Sequence, residues 1–231
     1  MRVGGGREAA TPLPTNAPWK SVTRGPQGTR GVIRSEVGVK SWAARLPSVE
    51  GVRPARCPGC GAASRPVGAA LVLHGHGVRE RQVLGPVEWG EVPLALTVGV
   101  RRFLCTSCRA TCTVGPREVL TRRLYSAPAV ALALALFGLL LRPVAQVRAQ
   151  VSPWRVVGPS SAGSWCALFA WVRAVRGGGV FAALPPCPED WSARRVAARA
   201  AGALAARAPE AVGPSPPPLH VLTALGAVHA R

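Results

Sequence analysis

Acidic side chains are scarce in this chain of 231 residues: it holds ten carboxylates, a single aspartate (Asp190), and beyond residue 120 only Glu189, Asp190 and Glu210. Chemistry that clusters two or three carboxylates around divalent metal ions, as in nucleases and phosphoryl transferases, is thereby nearly excluded, and no enzymatic function is expected. Lysine is almost missing as well, so that 27 of the 29 basic residues are arginine. No apolar segment follows the charge in Met1-Arg2-Val3-Gly4-Gly5-Gly6. The expectation is therefore no signal peptide and a reducing, cytoplasmic setting, nucleoid-associated if the protein binds DNA. The apolar run at residues 127–141, fifteen residues without a charge, is too short for a membrane. At ~1.5 Å per residue it reaches ~22 Å against a hydrocarbon core of ~30 Å, so it reads as a buried core helix with no membrane partner.

What the chain has in excess is positive charge, a net +19 with a pI near 11.6. A polyanion is the partner such a balance favours, and DNA is the leading expectation. Seven cysteines are the second surplus. In a reducing compartment, cysteine pairs at short spacing read as metal ligands or redox sites rather than disulfides.

Four segments differ in composition. Residues 1–54 hold Gly, Pro, Ser, Thr and scattered Arg, nine basic to three acidic, and read as a disordered basic arm. Residues 55–120 carry two cysteine pairs and strand signals, one from Val92 to Phe103 and a shorter one from Arg79 to Leu84, separated by the turn dipeptide Gly85-Pro86. Residues 121–208 are alanine-rich and helical, with helices expected near 127–141, 144–150, the stretch bearing Trp165, Leu168, Phe169, Val172 and Val175 on one face, and 191–208. Ser160 or Ser161 is a candidate cap for the third of these, and Gly177-Gly178-Gly179 ends it. Residues 209–231 form a proline-rich tail whose last thirteen residues are expected to be loose. The fold class is thus α+β: a small antiparallel β module carrying the cysteine pairs, then an all-α bundle, between disordered tails.

The strongest motif is Cys57-Pro58-Gly59-Cys60-Gly61 with Cys105-Thr106-Ser107-Cys108. Two residues between cysteines let both thiolates of a knuckle face one ion, and a glycine after the pair lets the backbone turn without a Cβ clash. Four thiolates match one tetrahedral, structural Zn2+ that leaves no open position for a small-molecule substrate. The 44 residues between the knuckles can be closed by two antiparallel strands. A thioredoxin-like redox site lacks its βαβ context here. Cys112, His74 or His76 could each replace a ligand, although His74-Gly75-His76-Gly77 reads better as an exposed turn before the strand, and Cys166 and Cys187 as structural residues.

The run C-P-G-C-G, then H-G-x-G-x-R-x-R, then V-R-R-F-L-C-T-S-C, then a helical segment resembles the N-terminal zinc-binding region of bacterial insertion-sequence transposases, over about residues 55–176. In that family a zinc ribbon is followed by a helix-turn-helix that binds the ends of the element, which implies for this chain a four-cysteine zinc ribbon over 55–120 and a helix-turn-helix-like all-α bundle over 121–208. The resemblance implies zinc ligation by Cys57, Cys60, Cys105 and Cys108. The family's full-length members continue into a ribonuclease H-like domain with three metal-binding carboxylates, for which this sequence has neither length nor acids; it implies DNA binding without cleavage. The ten residues from Val151 to Ser160 exceed the three or four of a usual helix-turn-helix turn.

Two functional classes follow. In the first, the helical segment, with eleven arginines and two acids for a net +9 over 121–208, lies on DNA, and Arg155, Arg173 and Arg176 reach base edges by bidentate contact. In the second, the ribbon is a protein-interaction adaptor and Trp154, Trp165, Trp171 and Trp191 supply its anchors. Nothing in the sequence specifies the oligomeric state.

Overall fold

The computed structural model describes residues 32–88, 90–154, 165–181, 184–209 and 217–230. Over these the chain is a mixed α+β protein with a four-stranded sheet and six helices. Two long strands, β2 (Leu73–Gly85) and β3 (Leu94–Cys105), form an antiparallel hairpin. β4 (Thr111–Gly115) returns antiparallel on the far side of β3, and β1 (Val32–Arg34) adds parallel to β4, giving the order β1-β4-β3-β2.

The hairpin is longer than the alternation of apolar residues indicates. β2 begins six residues before Arg79 and takes in His74-Gly75-His76-Gly77, which was expected as a turn; a register shift between Gly75 and Val78 absorbs the glycines. These strand residues are exposed, so no hydrophobic period marks them.

The arm assigned to residues 1–54 is folded from Val32 onward. Helix α1 (Val39–Ala44) buries Val39 and Trp42 on one side, and a 3-10 turn spans Glu50–Val52. The Trp42 indole N–H donates to the Gly99 carbonyl of β3 at 2.6 Å, and the buried Glu118 carboxylate accepts the Val39 amide at 2.8 Å. A three-residue strand and a six-residue helix are too short to display a period, so tertiary contacts rather than local pattern decide their structure.

In the helical half, α2 (Ala127–Gly138) is the centre, with every residue buried. It ends three residues short of Leu141, and Leu141 takes a left-handed backbone, φ 52°. Around α2 lie α3 (Val144–Val151), α4 (Cys166–Arg176), α5 (Ala193–Ala205) and α6 (Leu219–His229). The closeness of α2 to α5 depends on Gly138, where a Cβ would meet the Ala198 backbone nitrogen at 2.3 Å. α6 lies within the expected loose tail, and Thr223, fully buried in it, donates to the Ala201 carbonyl of α5 at 3.1 Å. The sheet and the helices carry separate hydrophobic cores. Among the described residues no helix is long and apolar enough to cross a membrane.

Candidate metal centre

The four cysteines of the two knuckles converge. Cys57 and Cys60 lie in the loop ahead of β2, Cys105 is the last residue of β3, and Cys108 sits in the turn to β4. The hairpin register closes the long gap between them, because Leu73 at the start of β2 stands opposite Cys105 at the end of β3. The Thr106 amide donates to the Val72 carbonyl at 2.9 Å, tying the second knuckle to the strand that follows the first.

Each knuckle is a copy of the other in its backbone bonding. The Cys57 amide donates to the Ala62 carbonyl at 2.8 Å and the Cys105 amide to the Ala110 carbonyl at 2.9 Å; the Gly61 amide returns to the Cys57 carbonyl and the Arg109 amide to the Cys105 carbonyl. Both loops need a left-handed residue at the same place. Gly61 supplies it in the first, φ 74°, and Arg109 adopts it in the second, φ 61°. The Gly59 amide points at the Cys57 sulfur, 3.3 Å away.

All four sulfurs lie within 4.8 Å of one another, close enough to hold a metal ion. Cys57 Sγ is 3.7 Å from Cys108 Sγ, and Cys60 Sγ is 3.8 Å from Cys105 Sγ. A tetrahedron of thiolates with metal–sulfur bonds of ~2.3 Å has edges of about 3.8 Å, the length of these two edges. Cys57 and Cys105 are buried while Cys60 and Cys108 face solvent.

The protonation of the cluster points the same way. Burial opposes ionisation of Cys105, but the Cys108 amide, the Cys108 and Cys57 thiols and the Ser107 amide outweigh it and bring the thiol down to about 7. Burial pushes Cys108 up to about 12, and the Cys60, Cys105 and Cys57 sulfurs add to the rise. Thiolates packed this closely repel one another, and a cation among them relieves that repulsion.

None of the alternative ligands joins the cluster. Among the described residues the four cysteines are the sole group of three or more potential metal ligands. Cys112 lies on β4 opposite Phe103, and burial, followed by the charges of Cys57 and Cys105, pushes its thiol up to about 11. His74 bonds the Leu71 carbonyl at 2.8 Å, and His76 is exposed on β2. Cys187 is buried and 3.0 Å from an Arg199 guanidinium nitrogen, whereas Cys166 is exposed.

The three arginines expected to read bases are not brought together as a set. Arg155 lies outside the described residues. Arg173 is exposed on α4. Arg176 turns inward, donating to the Glu189 carbonyl at 3.0 Å and to the Trp191 carbonyl, so its guanidinium is occupied within the fold. α3 and α4, expected as the helix-turn-helix pair, are separated by residues 152–165; α3 packs on α2, and α4 on α5 and α2.

Compared with family models, with curated proteins and with solved structures, the chain matches none.

Proposed function

We propose that the chain is a non-catalytic DNA-binding protein whose sheet half is held by one structural zinc ion on Cys57, Cys60, Cys105 and Cys108, and that it is related to the zinc-binding region of transposases. The observation that carries the DNA-binding reading is the charge balance. Ten carboxylates cannot neutralise 29 basic groups, and the net −2 of a zinc ion on four thiolates removes only a small part of the excess of +19. A surface in that state gains most from releasing the counterions condensed on a polyanion. Zinc is the metal that soft thiolates and a closed four-coordinate geometry favour in a structural site.

The adaptor reading loses its support at the tryptophans. Trp165 and Trp171 are buried and pack edge-to-face at 5.0 Å, and Trp191 lies under the Arg195 guanidinium at 4.0 Å. Only Trp154 of the four is exposed.

The test is binding of the metal-loaded protein to labelled duplexes, one taken from the flanks of its own gene and one random, titrated through salt. The expected result is binding whose log Kd rises linearly with log salt concentration. Selectivity for the flank that persists near ~0.15 M salt identifies a sequence-specific reader. Absence of binding to either duplex, or binding indifferent to salt, contradicts the proposal.

A further inference from the structure

One face of the sheet forms a groove of about 980 Å³. The strand register builds it: Arg79 stands opposite Val100, Arg81 opposite Val98, Arg102 opposite Thr113, and Thr113 opposite Val32, and directly opposed residues share a face. The turn ahead of α2, with Thr121, Arg122 and Arg123, adds to the lining. Among the described residues the groove therefore gathers five arginines and three threonines, with Glu80 as its one carboxylate and no aromatic ring.

The five arginines divide by role. Arg81 braces the groove, donating to the Leu120 carbonyl and, at 2.8 Å, to the Arg123 carbonyl; burial pushes its pKa down, and the neighbouring charge of Arg79 adds to this. The Arg123 Nε is buried with no partner. The side chains of Arg79, Arg102 and Arg122 form no hydrogen bond or ion pair among the described residues. Arg122 is held with φ 57°, a strained conformation for a residue with a side chain.

The helical half treats its arginines differently. Arg194 donates to the Phe137 carbonyl and lies 4.3 Å over its ring, Arg195 covers Trp191, and Arg199 donates to the Pro185 and Pro186 carbonyls. Arg142 and Arg173 of the helical half are also exposed and unpaired among the described residues, but they stand singly, whereas the groove gathers Arg79, Arg102 and Arg122 in one lining.

We propose that this groove is where the protein holds nucleic acid, with Arg79, Arg102 and Arg122 as phosphate donors and the threonine hydroxyls as secondary ones, and that its occupant is the backbone of a duplex. Guanidinium forks match phosphate oxygens in bidentate geometry. The lining offers no stacking platform of the kind that takes unpaired bases, which favours duplex over single strand and makes binding here independent of sequence. The inference rests on the DNA-binding reading above and adds the face that does it.

The experiment compares the full-length, metal-loaded protein with the triple variant Arg79→Gln/Arg102→Gln/Arg122→Gln and with the charge-matched variant Arg45→Gln/Arg142→Gln/Arg173→Gln, whose three sites are exposed outside the groove. Binding of a random duplex and of its single strand is followed by anisotropy through a salt series, with zinc content and thermal midpoint checked for each protein. The groove variant is expected to bind duplex about tenfold or more weakly near 0.1 M salt, with a log–log slope reduced by about 2 to 3, while the control loses less than about threefold. If the triple variant loses its fold, the double variant of the exposed Arg79 and Arg122 carries the test, with a slope reduced by about 2. Equal loss in groove and control variants, or tighter binding of the single strand than of the duplex, overturns the assignment of the groove while the DNA-binding reading stands. If the unaltered protein binds no DNA, both fall together.

Discussion

Arg109 and Gly61 occupy equivalent places in the two knuckles, both in the left-handed region, at φ 61° and 74°. For a residue with a Cβ that conformation costs ~1–2 kcal/mol, a cost glycine does not carry. Arg109→Gly is therefore expected to stabilise the metal-loaded protein by about 1 kcal/mol, read as a raised thermal midpoint; an unchanged or lowered midpoint contradicts the equivalence of the knuckles. The cysteine spacing is legible in the sequence because chemistry imposes it: two thiolates of one knuckle must face one ion. The second left-handed position was not, since arginine carries no turn signal. The scarce acids are partly structural for the same reason of scale, one buried carboxylate at Glu118 securing the start of α1 through the Val39 amide and accepting from Arg117 at 3.0 Å.

Among the elements, α2 rests on its cap. The fully buried Ser126 hydroxyl accepts the Ala129 amide at 3.0 Å and donates to the Pro86 carbonyl at 2.7 Å, so one side chain both starts the central helix and ties it to the end of the β2 strand. Ser126→Ala removes both bonds and leaves a buried carbonyl without its donor. Destabilisation by about 1–3 kcal/mol is expected in chemical denaturation, and a midpoint equal to that of the unaltered protein contradicts this role. The elements visible in the sequence were those with a sustained period or composition: the β2–β3 hairpin, the uncharged α2, the short α3, the apolar stripe of α4, and α5. β1, α1 and β4 escaped because three to six residues cannot show a period. α6 escaped because a proline cluster precedes it, and its place is set by packing, with Val221, Ala224 and Ala227 buried. The face-sharing of Arg79, Arg102 and Arg122 belongs to register across strands far apart in sequence, which no local pattern encodes.

At the scale of the whole molecule, the two cores differ in what sustains them. The helical core is built from aliphatic and aromatic side chains around α2, whereas the sheet core includes Cys57 and Cys105 among its buried residues. A metal ion on those sulfurs contributes its binding free energy, ~10 kcal/mol or more, to the folding of the sheet half. Cys105→Ser is accordingly expected to lose its metal and to expose sheet amides to hydrogen exchange while α2 amides keep more of their protection. Retention of the metal and of sheet protection in that variant contradicts the four-ligand assignment. Arg34 spans the two halves by donating to the Ala230 carbonyl beyond α6, so some loosening of α6 accompanies loss of the sheet.

A metal ion bridging the four sulfurs is the central element of this account, so the most direct measurement is the X-ray absorption spectrum and metal content of the purified protein. The account predicts one zinc per chain with a first shell of four sulfurs at ~2.3 Å. A first shell containing nitrogen or oxygen, or a folded protein that holds no metal, would contradict it.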